Sequence, residues 1–346
     1  MKESTTPQPG PALVDMFSRT ISYLRLSLTD RCNLKCMYCV TEDEQKGCVG
    51  KLGQGELLTY EELLRVVRVA VAMGISKLRL TGGEPLVRKN VLDFIARLAD
   101  IQGLDDIRIT TNGVLLAGCA EALYASGVHK INISLDTLQK DRFACITGVD
   151  CFDRVWQGIE KALAVGFSPV KLNMVVMRDI NDDELVDFAR LSREMPLQVR
   201  FIEFMPIGDS SRWNKSTYMA SDEIMARFQD MGELIPLERQ QADGPARVFR
   251  LGSDAAGTLG FISPISHHFC DRCNRLRLTS EGRLRSCLLH DRETDLKGVL
   301  RGGGSDDDIR ACLLEAIANK PKGHQMAERL KEEGADCHGR MSRIGG

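Results

Sequence analysis

Three features are scarce in this chain of 346 residues: long apolar runs, an excess of either charge, and cysteine at the density of a disulfide scaffold. No stretch approaches the roughly 18 uninterrupted apolar residues that a membrane span requires. The 46 basic and 48 acidic residues leave a formal charge of -2, so no overall basic field attracts nucleic acid or an anionic membrane surface. The sequence therefore predicts neither a membrane nor a nucleic-acid partner.

The twelve cysteines lie well below the roughly 8 to 10% that marks a disulfide scaffold. The first sixteen residues are polar and proline-rich, without the apolar segment of a secretory signal. We therefore expect a cytoplasmic protein. In that compartment thiols stay reduced, so closely spaced cysteines are metal ligands or catalytic groups more often than disulfides.

Short β-rich runs alternate with stretches of helical period along the first two thirds of the chain. The predicted strands are residues 23–28, 77–83, 106–113, 129–136, 170–177 and 199–206, and the helices between them are predicted near residues 60–72, 90–99, 115–125, 152–164 and 182–193. Strict alternation indicates right-handed βαβ crossovers and a parallel sheet, hence an α/β fold. Six such strands suit an incomplete (βα)6 barrel, although a doubly wound sheet gives much the same pattern.

Polar residues recur where these strands end, which is where parallel barrels carry their chemistry. They are Thr29, Asp30, residues 81–84, residues 110–112, Ser134, Asp136, Glu203 and Met205. Ordinary turn and cap residues are the alternative interpretation.

After about Pro236 the pattern changes to runs punctuated by glycine and proline, which indicate hairpins, followed by a helix near residues 307–319. We therefore divide the chain into a barrel region, residues 17–236, and a C-terminal region, residues 237–346.

The first cysteine triplet, Cys32, Cys36 and Cys39, lies in the loop after the first strand. Three thiolates leave one iron of a four-iron cluster without a protein ligand, and that open position can bind another molecule. A structural zinc site that lacks its fourth ligand and a redox dithiol with a spare thiol are the alternatives.

A second triplet, Cys270, Cys273 and Cys287, lies in the C-terminal region. A zinc site of the Cys₃His type competes here, because three histidines are near in sequence: His267, His268 and His290. The same segment is rich in arginine, at positions 272, 275, 277, 283 and 285. These arginines predict an anion site, with a solvated basic hairpin face as the alternative. The other cysteines, at positions 48, 119, 145, 151, 312 and 337, are interpreted as core or incidental thiols.

Several motifs together resemble the GTP 3′,8-cyclase family of radical S-adenosylmethionine (SAM) enzymes, which serves molybdenum cofactor biosynthesis. They are TDRCNLKCMYC at residues 29–39, GGEP at residues 82–85, the second triplet, NRLRLTSEGRLRSCL and the terminal MSRIGG. The resemblance extends from about residue 14 to residue 346. It implies an incomplete (βα)6 barrel whose open side is covered by the C-terminal region.

The resemblance also implies two [4Fe-4S] clusters, the first held by Cys32, Cys36 and Cys39 and the second by Cys270, Cys273 and Cys287. The implied SAM contacts are Tyr38, Gly83, Ser134 and Met205. The implied GTP contacts are Arg25, Arg79, Thr110, Lys171, Arg275, Leu276 and Arg277. Gly345, Gly346 and Arg25 are implied to act in catalysis.

The implied reaction begins when an external one-electron reductant drives cleavage of SAM to a 5′-deoxyadenosyl radical. This radical removes hydrogen from C3′ of GTP, and C3′ then joins C8 of the guanine. The product is (8S)-3′,8-cyclo-7,8-dihydroguanosine 5′-triphosphate, which a downstream enzyme converts to cyclic pyranopterin monophosphate. A homodimer is compatible with this scheme.

Two departures from the family pattern concern loop conformation near the first triplet: Val40-Thr41 replaces Met-Pro, and Phe17-Ser18-Arg19 replaces Phe-Gly-Arg. Two other functions compete with the cyclase. One is a radical SAM enzyme that modifies peptides, and the other is a non-catalytic zinc-binding module whose basic hairpin contacts RNA.

Overall fold

The computed structural model describes residues 13–40, 50–207, 213–238, 244–324, 326 and 340–345. Thr41, Cys48, Cys337 and Gly346 lie outside the described residues. Within them, twelve strands form one sheet. The strands are β1 Tyr23–Ser27, β2 Lys77–Thr81, β3 Asp106–Thr111, β4 Lys130–Ser134, β5 Val170–Val176, β6 Leu197–Glu203, β7 Leu234–Pro236, β8 Arg247–Leu251, β9 Thr258–Ile262, β10 Arg275–Leu278, β11 Arg283–Arg285 and β12 Glu293–Asp295.

Helices fill most of the connections between these strands. They are α1 Tyr60–Ala72, α2 Val91–Ala99, α3 Ala120–Ala125, α4 Lys140–Thr147, α5 Phe152–Val165, α6 Leu185–Glu194, α7 Ser221–Ala226, α8 Leu296–Arg301, α9 Asp306–Ala318 and α10 Met341–Ile344. Not one helix in the described part of the chain combines the length and the apolar character needed to cross a membrane.

Strands β1 to β6 are parallel and lie side by side in chain order. This order confirms the predicted α/β fold with a (βα)6 unit. It excludes the doubly wound alternative, in which the strand order reverses part-way across the sheet. The pairings of the described residues end at β12 on one side and at β7 on the other.

The alternation of residue types along the strands places apolar and polar side chains on opposite faces. On β1, Leu24 and Leu26 belong to the hydrophobic core, whereas Tyr23 and Arg25 face a cavity. The amphipathic helices cover the apolar face. Helix α1 shows how the local sequence specifies one of these helices. Thr59 and Glu62 form a capping box at its N-terminus, and the apolar face of the helix is buried.

Residues 237–346 contribute strands to both ends of the (βα)6 unit. Strand β10 pairs with β1 and strand β9 pairs with β6, both in parallel. The β10–β11 and β11–β12 pairs are antiparallel, and so are the β7–β8 and β8–β9 pairs. The predicted hairpins therefore flank the parallel strands on either side.

Some connections differ from their predicted form. The stretch predicted as one helix over residues 115–125 is a 3₁₀ turn, Leu116–Gly118, followed by α3. Helix α6 is likewise preceded by a 3₁₀ turn at Asp182–Glu184. Helix α4 was not predicted from the sequence. It is followed by its C-cap residue Gly148, whose φ of 70° lies in the left-handed region that favours glycine.

Candidate active site

Both cysteine triplets line a single cavity of about 620 Å³. The six lining cysteines are Cys32, Cys36, Cys39, Cys270, Cys273 and Cys287. The first three follow β1, and the last three come from the C-terminal region beside β10 and β11. Although the triplets are more than 200 residues apart in the chain, the β1–β10 pairing brings them to one site.

Helix α4 and the turn after β2 fix the loop of the first triplet. Lys35 and Met37 donate their backbone N–H groups to the carbonyl oxygens of Thr147 and Ile146, at 2.8 and 2.9 Å. These carbonyls belong to the last turn of α4, where intrahelical partners are missing. On the other side, a Cβ added at Gly83 would lie 2.3 Å from the carbonyl oxygen of Arg31, so only glycine allows this close approach.

The thiols of the first triplet lie close enough to affect one another. Burial raises the pKa of Cys36 well above its usual value, and the nearby Cys39, Asp136 and Cys32 raise it further. The sulfur of Cys32 accepts hydrogen bonds from the backbone N–H of Leu34 at 3.4 Å and from Asn112 Nδ2 at 3.6 Å. Three thiolates in this setting need a cationic group to neutralise them.

The β10–β11 hairpin assembles the second triplet. Cys270 and Cys273 lie just before β10, and Cys287 lies just after β11. Cys273 Sγ accepts a hydrogen bond from Lys320 Nζ at 3.5 Å. Burial alone would raise the pKa of Cys273, but Lys320 and Arg275 lower it to about 7. This thiol is thus predisposed to the thiolate form in which cysteine binds metals.

The histidines near the second triplet in sequence do not complete a Cys₃His site. His267 lies 2.7 Å from Asp222, and His290 Nδ1 accepts a hydrogen bond from the backbone of Arg292. Neither they nor His268 are among the cavity-lining residues. In the described ranges no three His, Cys, Asp or Glu side chains converge on a point where one metal ion would bind. A four-iron cluster binds each thiolate on a separate iron, so three cysteines can hold it without a histidine ligand.

Another histidine, His324, does line the cavity, but both of its ring nitrogens are engaged. Nδ1 accepts a hydrogen bond from the backbone N–H of Met326, at 3.0 Å. Nε2 therefore carries the proton, and it donates to the carbonyl oxygen of Pro264 at 2.7 Å. This arrangement holds His324 as a neutral structural residue.

Four arginines form a row across four neighbouring strands, and we call them the arginine row. The strand register aligns Arg277, Arg25, Arg79 and Arg108, on β10, β1, β2 and β3. All four line the cavity. Desolvation, followed by repulsion from Arg277, lowers the pKa of Arg25 well below its usual value. An anionic ligand would relieve this repulsion, so this part of the cavity is suited to a polyanion.

Further cavity-lining residues went unnoticed in the sequence. They are Tyr23, Lys77, Arg108, Asn132 and Arg200, whereas Asn112 and Asp136, which also line the cavity, were among the predicted strand-end residues. The alternation along each strand is the signal that could have revealed several of them, because Tyr23 and Arg108 lie two residues from Arg25 and Thr110 on the same strand faces.

Most of the predicted ligand-contact residues meet at this cavity. The lining includes Tyr38, Gly83, Ser134, Met205, Arg25, Arg79, Thr110, Arg275 and Arg277. Two do not line it. Leu276 packs in the hydrophobic core, because it alternates with the arginines on either side of it. Lys171 is buried on β5, in register with Asn132 of β4.

Of the five arginines predicted to form an anion site, three lie at the cavity and two do not. Arg272, Arg275 and Arg277 line the cavity. Arg285 instead pairs with Asp291 at 3.1 Å and Glu293 at 3.3 Å, and Arg283 pairs with Asp295 at 3.5 Å. These last two arginines stabilise the β11–β12 hairpin. Their acidic partners lie on β12 or just before it, so strand pairing rather than sequence proximity brings each pair together.

The C-terminal segment reaches the arginine row. Arg277 Nη1 donates a 2.6 Å hydrogen bond to the carbonyl oxygen of Gly345. Gly345 is buried, and a Cβ added to it would lie 2.1 Å from Thr81 Oγ1. Its φ of 77° is also in the region that favours glycine. Gly346, the other predicted catalytic glycine, lies outside the described residues.

Family models and known proteins match most of this chain. A model described as the radical SAM superfamily matches residues 26–192, and one described as Molybdenum Cofactor Synthesis C matches residues 197–326. A GTP 3′,8-cyclase of Thermodesulfovibrio yellowstonii is 48% identical over 318 residues, covering 92% of this chain and 96% of the relative. A GTP 3′,8-cyclase of Pelotomaculum thermopropionicum is 49% identical over 333 residues, covering 96% and 99%. The chain belongs to the GTP 3′,8-cyclase family of radical SAM enzymes.

A solved structure, that of Streptococcus suis SuiB bound to S-adenosylmethionine, has the same fold as this cyclase family member. Its TM-score is 0.60 at 16% identity, with coverage of 92% of this chain and 76% of SuiB. Membership in the radical SAM superfamily implies SAM and an iron–sulfur cluster. The first triplet fits such a cluster by its chemistry, because Cys39 and Cys32 lie close enough to Cys36 to raise its pKa and each of the three sulfurs can bind one iron.

Proposed function

We propose that this chain converts GTP to (8S)-3′,8-cyclo-7,8-dihydroguanosine 5′-triphosphate, the first step of molybdenum cofactor biosynthesis. In this reaction C3′ of the ribose loses hydrogen and bonds to C8 of the guanine. One observation carries the proposal: both cysteine triplets and the arginine row line the same cavity. That combination supports a radical reaction on a substrate with several negative charges.

Cys32, Cys36 and Cys39 would hold the first [4Fe-4S] cluster, which supplies the one-electron cleavage of SAM when it is bound. Tyr38, Gly83, Ser134 and Met205 would contact SAM. Tyr38 is well placed for this, since its hydroxyl donates to Asp136 at 2.6 Å and so fixes the ring beside the triplet. Gly83 would let backbone atoms approach the methionine moiety without steric hindrance.

GTP would bind between the second triplet and the arginine row. Cys270, Cys273 and Cys287 would hold a second [4Fe-4S] cluster, which would supply a binding position for the purine. Arginines would bind the triphosphate, since guanidinium groups suit phosphate oxygens. The GTP contacts proposed from the family pattern remain Arg25, Arg79, Thr110, Lys171, Arg275, Leu276 and Arg277, of which all but Lys171 and Leu276 line the cavity. The hydrogen bond from Arg79 Nη1 to Thr110 Oγ1, at 3.2 Å, supports a shared role for these two.

We assign catalytic roles to Arg25, Gly345 and Gly346. The contact between Arg277 and Gly345 supports insertion of the C-terminal segment beside bound GTP. There the segment would exclude water and keep the substrate radical from side reactions. We further propose a cytoplasmic enzyme that takes electrons from an external one-electron reductant and passes its product to an enzyme forming cyclic pyranopterin monophosphate. A homodimer is the proposed assembly.

Anaerobic reconstitution tests the proposal as a whole. The protein should bind close to two four-iron clusters per chain, contain iron rather than zinc, and convert GTP when SAM and a reductant are present. A single cluster per chain would contradict the second site. If GTP does not increase the formation of 5′-deoxyadenosine, the proposed substrate is wrong.

Single cysteine variants test the division of labour between the triplets. Cys32→Ala should abolish SAM cleavage, because it removes a ligand of the first cluster. Cys287→Ala should keep some cleavage but lose the cyclised nucleotide. Cys145→Ala is the control, since this cysteine is exposed on α4. Chromatography of 5′-deoxyadenosine and of the nucleotide product measures both activities, and equal loss of both in the two variants would refute separate roles.

A further inference from the structure

Lys320 is a buried lysine behind the second triplet. It follows α9, is 3% exposed and is not among the residues that line the cavity. Its Nζ donates to the carbonyl oxygen of Ser286 at 2.6 Å, to that of Arg275 at 2.8 Å and to Cys273 Sγ at 3.5 Å. Ser286 directly precedes Cys287, so the three contacts connect the strands and loops that carry two of the three cysteines.

The three hydrogen-bond partners of Lys320 indicate that its side chain is positively charged. Two are carbonyl oxygens, which only accept hydrogen bonds, and the third is a sulfur that accepts as a thiolate. An ammonium group has three donors and no acceptor, so it matches all three partners, whereas a neutral amine would turn its lone pair toward one of them. The contacts therefore describe a buried positive charge against the cysteine sulfur.

Cys32, in the first triplet, receives its hydrogen bonds from a different kind of donor, and the charge of Lys51 also acts on it. Cys32 Sγ accepts from a backbone N–H and from the side-chain amide of Asn112, which are neutral donors. A positive charge next to a cluster sulfur stabilises the reduced, more negative cluster and so raises its reduction potential. Hydrogen bonds from neutral donors act in the same direction, but without a full charge.

We propose that Lys320 is a positioning residue for the second cluster: its ammonium group holds the Cys273 sulfur together with the two neighbouring carbonyls, and it raises the cluster's reduction potential. This inference rests on the second cluster of the proposed function. Lys320 acts through Cys273 and not on GTP. It lets the second cluster differ electronically from the first, although each is held by three cysteines.

The test uses the full chain with Cys32, Cys36 and Cys39 replaced by alanine, so that only the second site can hold iron. The reduction potential of the remaining cluster is followed by electron paramagnetic resonance during a redox titration. In this background Lys320→Met should shift the potential to more negative values and weaken iron retention against a chelator by about 10- to 100-fold. Lys322→Met, an exposed lysine of the same segment, is the matched control and should shift neither value.

The other outcomes distinguish failure of the second cluster from failure of the role of Lys320. If the background protein binds no iron, the proposed second cluster is wrong and the inference falls with it. If it binds iron and Lys320→Met has the same potential as Lys322→Met, the second cluster stands and the role of Lys320 is refuted. If Lys320→Met retains no iron, the Lys320→Arg variant tests whether the positive charge is what holds the cluster. It preserves the charge and should keep both the iron and the potential, and loss of iron there as well would overturn the charge argument.

Discussion

Tyr23 is a single residue whose chemistry is altered by its neighbours in the cavity. It lies on β1 two residues before Arg25, and its hydroxyl oxygen accepts a hydrogen bond from Arg79 Nε. Burial alone would raise the pKa of Tyr23, but Arg79, Arg25 and Arg275 lower it to about 7. Lys77 also lies over the ring, 5.4 Å from its centroid. These cations therefore favour the phenolate form of Tyr23.

We predict that Tyr23 titrates near neutral pH when no nucleotide is bound, and that tripolyphosphate raises its pKa by competing for the same cations. The folded pKa of about 7 lies below the ordinary value of 10.0, so Tyr23 stabilises the fold increasingly between these pH values. That contribution is lost as the pH falls through about 7. The measurement is phenolate absorbance, taken as the difference between the chain and Tyr23→Phe.

Three other tyrosines do not obscure this titration. Burial raises the pKa of Tyr38, Tyr60 and Tyr218, so their phenols stay protonated at neutral pH. A difference spectrum without a transition below pH 9, or one unaffected by tripolyphosphate, would show that Tyr23 has no ionic role in the cavity.

The residues that could be predicted from the sequence are those whose partners are close in the chain. Cys32, Cys36 and Cys39 fall within eight residues, so their spacing alone indicated a shared ligand. Lys320 is 47 residues from Cys273, and only the packing of the segment after α9 against the β10–β11 hairpin joins them. Tyr23 has the same limitation, because its pKa depends on the strand register with β2 and β10.

At the level of elements, strands were easier to predict than connections. The alternating pattern located β1 to β6 within a few residues, since one face of each strand is apolar. Helix α4 lacked so clear a pattern, yet its last carbonyls hold the first cysteine loop. Hydrogen bonds between backbone groups carry no residue signature, so this support could not be found before the structure.

The short C-terminal helix α10 and Gly345 behind it give a prediction at this level. Gly345→Ala places a Cβ against Thr81 and strains a φ of 77°, so the segment should leave its position beside Arg277. A displacement of about 1 Å near reacting groups can cost about 100-fold in rate, and we expect a loss of that order in cyclised product. The midpoint of thermal unfolding should change little, since only the chain end moves.

Gly323→Ala is the matched control for this substitution, because no atom lies within 4 Å of the Cβ that it adds. It should keep the rate of the parent chain. Full product formation by Gly345→Ala would instead mean that the C-terminal segment takes no part in the reaction.

For the whole molecule, the sheet determines how the two regions depend on each other. At one end β9 pairs with β6. The ring centroid of Phe261 on β9 lies 5.7 Å from that of Phe201 on β6 and 6.1 Å from that of Phe228. At the other end β10 pairs with β1. We therefore propose that residues 17–236 and 237–346, although distinct in pattern, fold as one cooperative unit.

This proposal predicts that the chain without cofactors unfolds in a single transition, with the same midpoint by circular dichroism and by hydrogen exchange of β1, β6, β9 and β10. A chain ending at residue 236 should aggregate, because removing β9 and β10 exposes the backbone groups of two strands and uncovers the apolar residues beneath them. The control is a chain ending at residue 339, which loses only α10 and the residues after it and should stay folded. A soluble, monomeric 1–236 chain that unfolds cooperatively would mean that the barrel region is an independent domain, and that its active site gains the second triplet by docking rather than by shared folding.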